Sequence, residues 1–466
     1  MNFTSISFLA FFLIVFALHY AWPTVRWQNA VIFVASCIFY GYWNWRLLGL
    51  LGISTLTAYA VGLALPLMAP QRRKVLLISA IVFLLALLAF FKYANFFIES
   101  AHAFWFAVTG GTITGPALNI LLPIGISFYT FQAVAYLVDV SRGSIQPERN
   151  FVTFGSFKLF FPQLVAGPIE RAHHLMPQFH RVRTLSMADI SEGIWLASYG
   201  YFLKVVIADS MGRWVDSYFS MPPTSGWTSV LATLMFSVQI YGDFCGYSLI
   251  AVGIGRLFGI RLSWNFAFPY WSTSIREFWH RWHATLGTWL RDYLYIPLGG
   301  SRGGTLIRLR NLIITMCLGG LWHGANWTFV LWGLLHGLAL SVNHLLDFAK
   351  FRRSRLILIV SWAATMLVVQ VGWMLFRAPS ISYAGDMVRS LDEMIWLDGH
   401  SVALRALISA VVPLVLLEYV QVRANDRMVF LRWHWTIRAL LQGLFIWMTL
   451  MLITQSAGKN FIYFQF

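Results

Sequence analysis

Apolar runs long enough to cross a bilayer recur from one end of this chain to the other, and no other feature limits its fold so tightly. A helix rising 1.5 Å per residue needs roughly 18 mostly apolar residues to cross about 30 Å of hydrocarbon. Residues 5–20, 31–45, 75–91, 118–138, 229–249, 356–375, 403–420 and 439–454 are clear runs of this kind. Residues 47–67, 190–207, 311–321 and 327–345 are more broken ones. Together they predict an all-α, polytopic membrane protein with roughly a dozen membrane-inserted helices. Charge agrees with this. Only 11% of residues are charged, against about 25% in soluble domains, so the chain cannot cover a water-facing surface.

The first run carries no Lys or Arg before Arg26 and no small-residue cleavage site, so it reads as a retained span and not a signal peptide. The formal net charge of +16 would suggest nucleic acid in a soluble protein. Here the basic residues gather in loops, at Arg72, Arg73 and Lys74, at Arg352, Arg353 and Arg355, and at Arg423, Arg427 and Arg432. That is the bias of cytoplasmic loops, and no nucleic-acid partner is expected. It places the N-terminus and the tail, residues 455–466, outside. Cys37, Cys245 and Cys317 are scattered, with no CxxC or metal spacing. No internal repeat of the kind common in transporters is visible. With no linker long enough to part it, the chain reads as one membrane domain over 1–466, whose residues 434–466 form the last span and an extracytoplasmic tail motif.

The stretch 274–295 reads SIREFWHRWHATLGTWLRDYLY. Its apolar residues recur every three or four positions, opposite Arg276, His280, His283 and Gly287, which predicts one amphipathic helix with His280 and His283 on a common face. LGGLWHGANW, residues 318–327, sets His323 among glycines in an apolar segment. An ionisable group at membrane depth is costly and commonly faces a polar cavity. A neutral imidazole is suited to take a proton from a hydroxyl nucleophile, and equally a histidine there can bond a neighbouring helix. His336 would lie roughly 20 Å further along a continuous helix, too far to share a site with His323 unless that helix breaks. Asp243, in YGDFCGYS, is expected to pair with a basic residue or backbone amides, or else to polarise a histidine. HxxH with one distant histidine and no nearby carboxylate does not make a metal site, and none is expected.

Several longer strings resemble the membrane-bound O-acyltransferase family, in the branch that O-acetylates bacterial polysaccharides such as alginate. They are LLPIGISFYTFQ from Leu121, FPQLVAGPIER from Phe161, YGDFCGYSLIAVGIGRLFGIRL from Tyr241, FWHRWHATLGTWLRDYLYIPLGG from Phe278, RNLIITMCLGGLWHGANWTF from Arg310 and the closing FIYFQF. The resemblance implies a ring of tilted helices around a central funnel and matches the family's near-invariant histidine to His323 and its second histidine to His283. His280, Trp322, Asn326, Asp243 and Arg276 are expected to line the funnel. The resemblance also implies acetyl-CoA as a cytoplasmic donor, a bacterial inner-membrane location, a separate extracytoplasmic acetyltransferase-type partner protein, and a polysaccharide as final acceptor. The tail GKNFIYFQF is similar to the C-terminal motif of a small single-span partner in teichoic acid D-alanylation. On that likeness Tyr463 is expected to carry acetyl transiently, the other reading being an aromatic interfacial anchor. Cellulose or peptidoglycan as the polymer, a transporter of acetyl donor or glycan, and a non-catalytic scaffold of a secretion complex are the alternatives.

Overall fold

The computed structural model describes residues 1–111, 118, 120–165, 167–346, 354–454 and 461, and these contain α-, 3-10 and π-helix with no strand. Among the described residues six helical stretches are long and apolar enough to cross a membrane: Trp45–Leu67, Pro70–Thr109, Trp327–Leu345, Arg355–Arg377, Asp398–Ala424 and Trp435–Ile453. Ile6–Ala21 is apolar but shorter. The expected segment boundaries move in two instructive places. Pro70–Thr109 is a single helix of 40 residues, about 60 Å long, where the apolar run alone suggested residues 75–91. The helix expected from residue 118 begins only at Ile126, because Gly125 adopts a left-handed φ of 75° in front of it.

The described residues cluster into two compact units, one of residues 1–184, 258–260 and 324–326 and one of the remainder. In the first, side chains capping the helix starts set the local register: Ser5 accepts from the Phe8 amide, Thr24 from Trp27 and Asn150 from Thr153. Buried polar groups then tie distant segments together. Gln28 and the Arg183 backbone exchange two hydrogen bonds of 2.8 Å, and Asn29 Nδ2 donates to Thr153 Oγ1 and the Phe179 carbonyl. On its polar loops, His174 and His180 pair with Glu170 at 2.8 Å and Glu148 at 2.9 Å. The hydrogen bond it donates to the Glu170 carboxylate raises the His174 pKa above its ordinary value.

The second unit is built on close helix contacts at glycine. Met187–Tyr201 lies against Gly226–Leu257, where a Cβ on Gly200 would sit 2.7 Å from the Gly246 carbonyl oxygen and one on Gly253 would sit 2.7 Å from that of Gly193. Small residues let the two backbones touch, which replaces the hydrophobic drive that lipid does not supply. A π-helical stretch, Phe202–Ala208, follows and carries Lys204 inward. Its ammonium reaches Asp209 at 2.9 Å and Asp243 at 2.6 Å, all three residues being buried.

Candidate functional site

The segment read as one amphipathic helix is broken. Ile275–Arg281 and Ala284–Leu290 are separate helices, with Trp282 extended and His283 left-handed at φ 45°, ψ 52°. A left-handed non-glycine residue costs roughly 1–2 kcal/mol and must be held. Asn265 holds it: its carbonyl accepts from the Ala284 amide at 2.9 Å, and its Oδ1 accepts from Thr285 Oγ1 at 2.6 Å and from His283 Nδ1 at 3.3 Å. With Nδ1–H donating, the imidazole lone pair is on Nε2. The break also corrects the expectation that His280 and His283 share a face. His283 is fully buried, whereas His280 is exposed and turns its Nδ1 back to the Arg276 carbonyl at 2.6 Å.

His323 is the last residue of Thr305–His323, and residues 324–326 turn the chain into Trp327–Leu345. The two helices form a hairpin whose crossing is fixed by glycine. A Cβ on Gly320 would overlap the Phe329 carbonyl oxygen, and one on Gly333 would overlap that of Met316. The turn is the helix break that the distance argument required, and it brings His336 back toward His323. Both rings flank Trp332, at centroid distances of 4.9 and 5.1 Å. His336 Nδ1 accepts from the Trp279 indole at 3.3 Å, and its ring stacks on Phe278.

His283 and His323, separate in sequence, meet in one buried aromatic cluster. The Trp322 ring lies 6.1 Å from His283 and 5.0 Å from His323, and Phe376 closes on His323 at 5.3 Å. Phe244 packs edge-on against His283 at 4.6 Å and touches Phe461, which is buried and also lies 4.8 Å from Tyr247. Phe461 is the one described residue of the tail beyond residue 454, and Tyr463 lies outside the described residues.

A cavity of about 480 Å³ opens beside this cluster. Arg276, His280, Arg291, Arg308 and His344 line it, and no carboxylate does among the described residues, although Arg291 is paired with Asp292 at 2.7 Å. Arg276 and His280 thus line a cavity as expected. Trp322 and Asp243 do not line it: Trp322 packs against both histidines and Asp243 is held by Lys204. Asn326 sits half-buried in the turn after His323. His283 and His323 are not on the cavity wall. Trp279 is, and its ring touches Trp332 at 5.5 Å, which links the cavity wall to the aromatic cluster. Among the described residues no group of three His, Cys, Asp or Glu could hold a metal ion. Sequence reasoning missed Asn265, His344 and Arg308. A lone asparagine, or a basic residue on a helix, carries no periodic signal of its role.

The model of the membrane-bound O-acyltransferase family matches residues 2–377, which contain all three clustered histidines. The chain is 42% identical over 397 residues to the probable alginate O-acetylase AlgI of Azotobacter vinelandii, covering 84% of this chain and 78% of that protein. It is 37% identical over 398 residues to a peptidoglycan O-acetyltransferase of Helicobacter pylori, covering 79% and 74%. It is 28% identical over 240 residues to a teichoic acid D-alanyltransferase of Bacillus subtilis, covering 48% and 60%. The chain belongs to the membrane-bound O-acyltransferase family and is a multi-pass membrane acyltransferase.

Proposed function

We propose that the protein takes acetyl from cytoplasmic acetyl-CoA, across a bacterial inner membrane, for O-acetylation of an extracytoplasmic polysaccharide such as alginate. The observation that carries this is the burial of His323 beside His283 around Trp322, inside a span matched to an acyltransferase family. The name of the Azotobacter relative supports alginate, and that of the Helicobacter relative favours peptidoglycan as the second reading. The arginine-lined cavity supports a phosphorylated donor. Guanidinium groups form strong charge-assisted bonds with phosphate, and Arg308 Nε has no hydrogen-bond partner among the described residues.

In this mechanism His323 takes the proton of a hydroxyl nucleophile as its oxygen attacks the thioester carbonyl. The C–S bond breaks, the coenzyme leaves as a thiolate, and the imidazolium returns the proton to sulfur. His283 positions donor or acceptor. Tyr463 is the first acceptor, and its aryl ester passes acetyl to a hydroxyl of an extracytoplasmic partner protein. Burial of Phe461 against Phe244, whose ring abuts His283, supports a tail that returns to the site. From Phe461 to Tyr463 the chain reaches about 7 Å at most.

The test is His323→Ala in cells and in purified membranes, reading polymer-bound acetyl and coenzyme A release from acetyl-CoA. Loss of a positioned general base costs about 100- to 10,000-fold in rate, so both should vanish while the protein still accumulates in the membrane. Near-normal acetylation in that variant would overturn the assignment. A transporter would show no coenzyme A release in the wild type, and a scaffold would be indifferent to the substitution.

A further inference from the structure

We infer that Glu418 is a positioning residue for the turn that carries His283. The inference rests on the proposed role of His283. Glu418 lies on Asp398–Ala424, beyond the residues matched to the family, and is 3% exposed. Its Oε2 accepts the indole N–H of Trp271 at 2.9 Å, and its Oε1 accepts the hydroxyl of Tyr241. No Lys, Arg or His forms an ion pair with it among the described residues. Arg427, near in sequence, lies instead over the Trp264 ring at 5.1 Å. A carboxyl group buried with two neutral donors is an expensive way to join helices. What it orients is therefore informative.

Both donors belong to the structure around His283. Tyr241 packs its ring against Phe266 at 5.7 Å, Tyr270 at 5.2 Å and Trp282 at 6.1 Å. Trp271 ends the short turn Pro269–Trp271 that leads toward Ile275–Arg281. The segment from Asn265 to His283 is a loop closed on itself, the Ala267 amide donating to Arg281 and the Ala284 amide to Asn265. Phe268 and His283, two of the three non-glycine residues with positive φ among the described residues, lie near its two ends. Such backbone persists only where its surroundings over-determine it. Asn265 fixes the loop at its base, and Glu418 fixes it at the far side through Trp271 and the ring of Tyr241. Loosening that clamp lets Trp282 and the adjoining His283 shift while the donor cavity, which Glu418 does not line, keeps its arginines.

The experiment compares Glu418→Gln, which keeps size and removes one acceptor oxygen, with the wild type in acetyl-CoA turnover by purified protein, alone and combined with His283→Ala. We expect kcat to fall about tenfold, because small misplacements of a reacting group cost up to about 100-fold, with the donor KM within about twofold of wild type. In the His283→Ala background the same substitution should cost nothing further. Equal losses in both backgrounds would show a general structural role and overturn the inference. So would a silent Glu418→Gln beside an impaired His283→Ala, which leaves the role of His283 intact. A silent His283→Ala overturns that role and this inference together. Should Glu418→Gln fail to accumulate, Tyr241→Phe removes one arm of the clamp and must show the same pattern.

Discussion

Replacing Gly333 by alanine tests whether the hairpin crossing sets the site. The added methyl would overlap the Met316 carbonyl oxygen and lie 2.8 Å from both Met316 C and Cys317 Cα. All three are backbone atoms of the facing helix, so no side-chain rotation relieves them. Restoring ordinary contact at about 3.5–4 Å requires the helices to part by roughly 1–2 Å. Overpacking of this kind costs about 1–3 kcal/mol. The displacement acts on the very helices that carry His323 and Trp332, one residue from the substitution, and a 1 Å error at a reacting group costs about 100-fold in rate. The assay is thermal unfolding of detergent-solubilised protein together with acetyl-CoA turnover. Gly385→Ala is the control, since nothing lies within 4 Å of a Cβ there and it sits in the helix Ile381–Arg389. Its stability should hold or rise by up to about 1 kcal/mol. A Gly333→Ala protein with wild-type melting and turnover would refute the argument that backbone contact positions this site.

The buried ion cluster gives a ranking. Lys204→Met takes the shared ammonium from the buried Asp209 and Asp243 and should cost about 3–5 kcal/mol, whereas Asp243→Asn keeps the Lys204–Asp209 pair and should cost markedly less by the same melts. Arg308→Gln and Arg276→Gln should each raise the KM for acetyl-CoA about tenfold, the worth of one charge-assisted hydrogen bond, with kcat little changed; an unchanged KM in both removes the arginine-lined cavity as the donor site. Tyr463→Phe keeps the ring and deletes the hydroxyl, so acetylated polymer should be lost while coenzyme A release to water persists at a low rate. Wild-type polymer acetylation in that variant would leave Tyr463 as an anchor.

The sequence by itself determined the solvent, the helical class and the chemistry class. Apolar runs of spanning length and scarce charge demand lipid, and strings such as LGGLWHGANW carry the family in local order. What it could not hold is any arrangement decided by residues far apart along the chain. No glycine or proline marks the break at Trp282–His283, so helical periodicity runs straight through it. The break exists because Asn265 supplies partners for the backbone and imidazole of a strained turn. Likewise a continuous helix puts His336 too far from His323, and glycines at 320 and 333 let the chain fold back at contact distance. Asp243 read as an intramembrane acid with several possible partners, and a π-helical bulge in a neighbouring segment chose Lys204. Periodicity records which face of a helix avoids water. It does not record which other face meets it, and that choice brought His283 and His323 against one tryptophan.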